Sequence, residues 1–173
     1  MPNPPPTGFY CSKCGEFHPE LPMDFGADAP DPFYGIPEEE RDARCYLTPD
    51  ICVIDEKEFY VRGCLEIPVV DGPDSFVWGV WTSLSMQSFK RMFELCESPE
   101  GENEPPYFGW LCTSLPLYPT TLHLKSQVHT RSVGQRPFVE LELTDHPLAV
   151  EQRSGITMDR VREIATALLH GDS

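Results

Sequence analysis

Two cysteines close to the N-terminus have the spacing of ligands that share one metal ion. Cys11 and Cys14 are separated by two residues, Gly15 follows directly, and His18 lies four residues after Cys14. Two thiolates at this spacing can reach the same ion, and the glycine lets backbone N–H groups turn toward the sulfur atoms. The motif therefore predicts half of a structural zinc site that joins the N-terminal segment to the body of the protein.

The remaining two ligands must come from single residues, because a second Cys-x-x-Cys pair is absent. His18 is close enough in sequence to be one, and Cys52, Cys45 and Cys64 compete for the last position. Cys52 lies on a predicted strand near turn residues, Cys45 ends an exposed helix, and Cys64 lies where a small buried thiol is common. A closed site of three cysteines and one histidine has no open position for a substrate water, so this zinc would be structural. A redox pair or unmetallated thiols are the alternatives, and the redox one is disfavoured because no helix follows the pair.

A second group of polar side chains raises the alternative of a hydrolase-like enzyme. A short predicted helix begins at Asp145 or His146 and carries several polar groups, and two further residues on strands could join them. The candidate functional polar residues are Arg62, His123, His146, Glu151, Gln152 and Arg153. A capping histidine with solvated polar neighbours explains the same pattern. The sequence has no phosphate-binding glycine loop, no Gly-x-Ser-x-Gly and no His-Glu-x-x-His, so we predict no catalytic residue.

The charge distribution is strongly acidic and uneven. The net charge is −15, residues 16–58 hold 13 acids and 3 bases, and residues 94–104 hold five glutamates and no base. Such a surface disfavours nucleic acid and anionic membranes as partners and favours a basic protein. Acidic residues kept only for solubility are the simpler explanation.

Length and composition indicate one globular domain. We expect a flexible arm over residues 1–8 and a single domain over 9–170 that includes the zinc knuckle at 9–18. The N-terminus has neither the basic nor the apolar region of a signal peptide, and no apolar run approaches the roughly 20 residues of a membrane-spanning helix. We therefore expect a cytoplasmic protein whose seven cysteines serve as thiols and metal ligands.

Hydrophobic periodicity predicts an α+β fold. Alternating or apolar runs predict strands at 51–54, 59–67, 76–81 and 107–111, and a hairpin from 122–131 and 139–143. Helical patterns predict helices at 37–45, 86–97, 147–153 and from 158 onward, with Ser85 and Thr157 as N-caps. In the helix at 86–97, the expected core residues are Met86, Phe89, Phe93 and Cys96. We expect a mostly antiparallel sheet of about five to seven strands with three or four helices and an N-terminal zinc-knuckle hairpin.

Several short motifs together resemble a family of bacterial proteins that is known only as a domain of unknown function. The resemblance covers about residues 9–165. It rests on the Cys11–His18 motif and on the segments Leu21-Pro22, Ala29-Pro30-Asp31, Asp50-Ile51-Cys52 with Asp55, Phe59-Tyr60-Val61-Arg62-Gly63, Trp78-Gly79-Val80-Trp81, Tyr118-Pro119-Thr120-Thr121-Leu122, Arg136-Pro137 and His146 to Ile156. The resemblance implies Cys11, Cys14, His18 and Cys52 as the ligand set. It implies no activity.

These patterns favour a zinc-stabilised, acidic, non-enzymatic protein that acts by recognising another protein. An immunity or regulatory protein that neutralises a basic partner, such as a bacterial toxin, fits best, because acidic immunity proteins can occupy the basic cleft of a nuclease. The hydrolase-like enzyme is the main alternative. A purely structural subunit is the third, and it predicts an exposed apolar patch around residues 110–118.

Overall fold

The computed structural model of the chain describes residues 9–10, 17–18, 21–96 and 98–170. Its first two strands, β1 (Phe9–Tyr10) and β2 (Phe17–His18), pair antiparallel. The predicted arm at 1–8 lies outside the described residues, and so do Cys11 and Cys14 of the predicted knuckle.

The rest of the chain alternates between short strands and helices. In order, the elements are β3 (Asp24–Gly26), α1 (Asp31–Tyr34), α2 (Glu38–Arg44), β4 (Cys45–Leu47), β5 (Ile51–Ile54), β6 (Glu58–Ile67), β7 (Phe76–Leu84), α3 (Met86–Leu95), a 3-10 helix (Pro99–Asn103), β8 (Tyr107–Leu111), β9 (Lys125–His129), β10 (Phe138–Leu141), α4 (Pro147–Ser154) and α5 (Met158–His170). This agrees with the predicted α+β class, although the described residues form five α-helices where three or four were expected.

Strands β6 to β10 form a closed five-stranded barrel. Each pairs antiparallel with the next along the chain. In an up-and-down barrel with an odd number of strands, the first and last strands run in the same direction. The barrel therefore closes by a parallel pairing of β10 with β6, in which Phe138 lies opposite Cys64. Alternate residues point inward, and Leu65, Trp78 and Val139 are buried in the resulting core.

Each of the two long strands of the barrel, β6 and β7, pairs with two different strands at different positions along one of its edges. On β6, residues 58–61 pair with β5, whereas Cys64 pairs with β10. On β7, residues 77–79 pair with β3, whereas residues 82–83 pair with β8. The edge of β6 therefore changes partner at Arg62 and Gly63, where the ends of β5 and β10 approach each other.

Helices cover the two ends of the barrel. At the end where β6 begins, Phe89 and Met92 of α3 pack against the buried side chains of Val61 and Leu84. At the opposite end, α4 and α5 contribute side chains such as Leu148 and Ile164 to the main core. The predicted caps are confirmed, because the side chain of Ser85 accepts a hydrogen bond from Ser88 N and that of Thr157 accepts one from Arg160 N.

The sheet is larger and more mixed than the sequence predicted. Within the described residues it has eight strands, and two of its pairings, β3 with β7 and β10 with β6, are parallel. The two unpredicted strands, β3 and β4, are three residues long, which is too short for alternation to be recognised. The second strand of the hairpin was expected to continue to residue 143, but β10 ends at Leu141 and Leu143 is 82% exposed.

The predicted core stripe of α3 is wrong at three of its four positions. Phe89 packs on Phe59 with 5.0 Å between ring centroids, but Met86, Phe93 and Cys96 are exposed. The helix turns the side containing Phe89, Met92 and Leu95 toward the barrel instead. An apolar stripe of α3 is consequently left at the protein surface.

Candidate functional site

The one predicted zinc ligand with a described side chain is deeply buried. Cys52 lies on β5 with no exposed surface, in an apolar cluster with Ile54, Tyr60 and Trp81. Burial raises the pKa of its thiol to about 12, and the nearby Cys45 adds to the shift. A bound cation would supply the positive charge that such a sulfur needs in order to ionise, so the donor chemistry suits zinc.

The ligand set itself stays a prediction. Cys11 and Cys14 lie outside the described residues, and for His18 only the backbone is described. Of the competing cysteines, Cys45 packs against the same apolar cluster as Cys52, whereas Cys64 does not. Within the part of the chain that the structure describes, no three His, Cys, Asp or Glu side chains are grouped to hold a metal ion.

Two residues of the predicted polar site hold α4 in place. His146 is the N-cap of α4, where its Nδ1 accepts a hydrogen bond from Leu148 N at 3.1 Å and its Nε2 lies 3.0 Å from the carbonyl oxygen of Thr120. Nε2 therefore carries the proton. Gln152 bonds twice to the backbone of β10, accepting from Leu141 N and donating to the Val139 carbonyl, both at 2.8 Å.

Glu151 joins α4 to α5. Its two carboxylate oxygens accept hydrogen bonds from Tyr118 Oη at 2.5 Å and from Arg160 Nε at 2.9 Å. The guanidinium of Arg160 also lies over the Tyr118 ring, 5.4 Å from its centroid. Burial and the bond to Glu151 both raise the pKa of Tyr118 above its ordinary value.

The six predicted polar residues do not converge. Arg62 lines one cavity, beside α3, and Gln152 and Arg153 line another, beside β10. His123, His146 and Glu151 line neither of them. Arg153 donates to the carbonyl of Thr144 at 2.6 Å, so the polar groups of α4 are engaged in contacts within the protein.

The larger cavity, which we call the α3 cavity, lies between α3, the β4–β5 segment and the connection from β9 to β10. Its volume is about 450 Å³, within the range of small-molecule sites. Apolar side chains of α3 form one wall, and residues of β6 and of the other two segments form the rest. The polar and charged lining residues are Thr48, Asp50, Arg62, Thr130, Arg131, Ser132, Gln135 and Arg136.

An ion pair lies at this cavity, near the point where the strand paired with β6 changes from β5 to β10. Arg136 Nε contacts Asp50 Oδ1 at 3.0 Å, and Arg62 N donates to the backbone oxygen of Asp50 at 2.9 Å. Neither Asp50 nor Arg136 was among the residues predicted to form a site. They are 86 positions apart, so only the pairing of β5 and β10 on one edge of β6 brings them together.

A second surface, which we call the acidic edge, consists of α2 (Glu38–Arg44) and residues 55–58. It contains seven carboxylates and three bases, which gives a net charge of −4. Arg44 joins its two parts by contacts to Glu40 at 3.4 Å and to Asp55 at 2.8 Å, and its guanidinium holds the pKa of the Asp55 carboxyl below the ordinary value. Beside these acids, Tyr34 is 54% exposed, and its ring lies 6.0 Å from the guanidinium of Arg41. The acidic edge thus combines negative charge with an exposed aromatic ring.

The apolar patch that was expected around residues 110–118 is only partly present. Phe108, Trp110 and Leu117 are exposed, and the rings of Phe108 and Trp110 meet edge to face at 5.1 Å. Leu111 and Leu115 are buried. The exposed part is therefore two aromatic rings on β8 and one separate leucine.

Comparison with known proteins identifies a family but no characterised relative. A family model described as an uncharacterized protein conserved in bacteria matches residues 10–156. No curated protein and no solved structure matches the chain. No helix among the described residues has both the length and the apolar character to cross a membrane. The matched segment includes the α3 cavity and the acidic edge.

Proposed function

Because the chain belongs to DUF2199, a family of uncharacterized proteins conserved in bacteria, we propose its function from its own surfaces. We propose a non-enzymatic, zinc-stabilised protein that recognises a basic protein partner through the acidic edge. An immunity or regulatory protein that neutralises a basic bacterial toxin is the form that we favour. The structural zinc would be held by Cys11, Cys14, His18 and Cys52.

The acidic edge is the observation that supports this proposal. Its carboxylates are held on a folded scaffold, because Arg41 stacks on Phe33 at 4.9 Å and donates to the Ile36 carbonyl at 3.0 Å. Negative charge on a fixed surface speeds the encounter with a basic protein and aligns it. The exposed ring of Tyr34 adds apolar contact area of the kind that is enriched in protein interfaces.

The hydrolase-like alternative has less support. It needs His146 and Glu151 free to meet a substrate, whereas both are engaged in holding α4. Neither residue lines the α3 cavity, and the second cavity, beside β10, lacks them as well.

Affinity capture with charge-reversal variants tests the proposal. The wild type should retain a basic protein from its host at low salt and release it at high salt. A double variant, Glu39→Lys with Asp42→Lys, reverses two exposed charges on α2 and should abolish this capture. The matched control is Asp74→Lys with Asp145→Lys, which changes the net charge equally at exposed sites outside the acidic edge and should retain the partner. Equal loss in both double variants would show that only net charge matters and would contradict the proposal.

A further inference from the structure

We propose that the α3 cavity binds a small amphipathic anion, in which an apolar body carries a carboxylate or a similar acidic group. This inference does not depend on the acidic edge or on a protein partner. It rests on the apolar wall of the cavity, on its positive charge in an acidic protein, and on the unused donors around it.

The packing of α3 on the barrel leaves part of the apolar wall exposed to solvent. Phe89 and Met92 face both the barrel and the cavity, and Phe93 lines the cavity while 62% of its surface is exposed. Ile51 and Val61 complete the wall from the neighbouring strands. An apolar body placed here would remove these side chains from water, and burial of apolar area contributes about 25 cal/mol per Å².

The charged residues that line the cavity favour an anion over a cation. Three arginines, Arg62, Arg131 and Arg136, and one acid, Asp50, are among the lining residues, which gives a charge of +2 in a chain of net charge −15. Glu66 lies 3.1 Å from Arg131 and reduces the excess to +1. A carboxylate that enters a partly apolar cavity needs such a cation, because an unpaired buried charge is strongly unfavourable.

Donors for the anion are available at the polar side of the cavity. Arg136 contacts Asp50 through Nε alone, so its two terminal nitrogens have no partner among the described residues. Ser132 and Gln135 lie on the same connection between β9 and β10 and are exposed. A carboxylate at this position could accept hydrogen bonds from the guanidinium fork of Arg136, which suits two oxygens at once.

Arg62 contributes positive charge near the cavity without direct contact with the proposed anion. Its Nη2 lies 3.0 Å from the position that a Cβ atom on Gly26 would occupy, so the guanidinium extends over β7 toward β3. Its Nε is buried and has no hydrogen-bond partner in the part of the chain that the structure describes. No described carboxylate lies within 4.0 Å of this side chain, and its charge adds to the positive potential at the cavity.

Titration with three probes that share one ten-carbon chain tests the proposal. Decanoate, decanol and decylamine present the same apolar body with a negative, neutral or positive head. Two-dimensional NMR of the full chain should show decanoate shifting resonances in residues 46–51, 86–96 and 130–137, with an affinity at least about tenfold above that of decanol. Equal affinities for decanoate and decanol, tighter binding of decylamine, or shifts centred on Phe108 and Trp110 would overturn the proposal.

Substitutions of the two members of the Asp50–Arg136 ion pair should change the affinity for decanoate in opposite directions. Arg136→Gln should weaken decanoate binding about tenfold, whereas Asp50→Asn should strengthen it, because it removes a competing carboxylate and releases Arg136. Arg162→Gln, which changes an exposed arginine on α5, is the control and should leave the affinity unchanged. Both members of the ion pair are largely exposed, so neither change should unfold the protein. The reverse pattern, with Asp50→Asn weakening the binding, would identify a site for cations instead.

Discussion

Tyr118 and Glu151 form a 2.5 Å hydrogen bond that anchors α4 and α5 to the barrel. The hydroxyl of Tyr118 also accepts a hydrogen bond from the indole N–H of Trp78 on β7, at 3.3 Å. Through Glu151 the connection continues to Arg160 on α5. One partly buried carboxylate therefore connects both helices at this end to the barrel.

Removing the charge of Glu151 should destabilise the fold. In Glu151→Gln the amide can still accept a bond from Tyr118, but Arg160, whose side chain is only 20% exposed, loses its ion pair with Glu151 and keeps only the one with the exposed Glu163. Loss of one partner of a charged hydrogen bond in such a site costs about 1–3 kcal/mol. Urea unfolding followed by circular dichroism measures the change. Glu163→Gln is the control, because Glu163 contacts the same arginine from an exposed position and should contribute less than about 1 kcal/mol.

The stability should fall at alkaline pH. Burial raises the pKa of Tyr107 from 10.0 to about 12, and it raises that of Tyr118 as well. A raised pKa in the folded state means that the neutral phenol stabilises the fold fully below pH 10, and that this contribution is lost as the pH rises through the folded-state value. The free energy of unfolding should therefore decrease between pH 10 and pH 12.

A single substitution checks the source of this decrease. Tyr118→Phe retains the ring and removes the titrating hydroxyl, so its free energy of unfolding should fall less steeply over the same pH range. Urea titrations at pH 8, 10 and 11 provide the comparison. Parallel curves for the wild type and the variant would show that Tyr118 does not contribute.

Sequence patterns predicted the elements that have a strong local signal. β6 and α5 form where they were predicted, and Val61, Leu65, Val161 and Ile164 on these elements are buried. The pattern of α3 was misleading because Met86 and Phe93 fit a helical apolar stripe, yet the end of the barrel accepts only one side of the helix. Periodicity shows that a stripe exists, but the neighbouring surface decides how much of it is covered.

The candidate sites were less predictable than the fold. A capping role for His146 can be proposed from its position before Pro147, because N-caps have a local signature. The double bond of Gln152 to β10 and the pair of Asp50 with Arg136 have no such signature. Both depend on which strands become neighbours, and that is settled by the closure of the barrel.

The barrel wall should not tolerate a methyl group at Gly63. A Cβ atom there would lie 2.6 Å from Val139 Cγ2 and 3.0 Å from the Pro137 carbonyl oxygen. Gly63→Ala should therefore cost about 2 kcal/mol, the typical cost of overpacking a core. Combining it with Val139→Ala should cost less than the sum of the two single changes, with a coupling of about 1 kcal/mol. Gly35→Ala, where the nearest atom is 3.5 Å away, should be nearly neutral in the same thermal unfolding assay.

Metal analysis tests the predicted zinc ligands directly. If Cys11, Cys14, His18 and Cys52 bind one zinc ion, the purified wild type should contain close to one equivalent by mass spectrometry, and Cys52→Ala should lose most of it. The apo protein should also unfold at lower temperature, because zinc that binds only the folded state stabilises it. Cys64→Ala is the control, since it removes a half-buried thiol outside the predicted set and should retain the metal. Equal zinc content in the wild type and in Cys52→Ala would exclude Cys52 as a ligand, and loss of zinc only in Cys64→Ala would assign the fourth position to that residue.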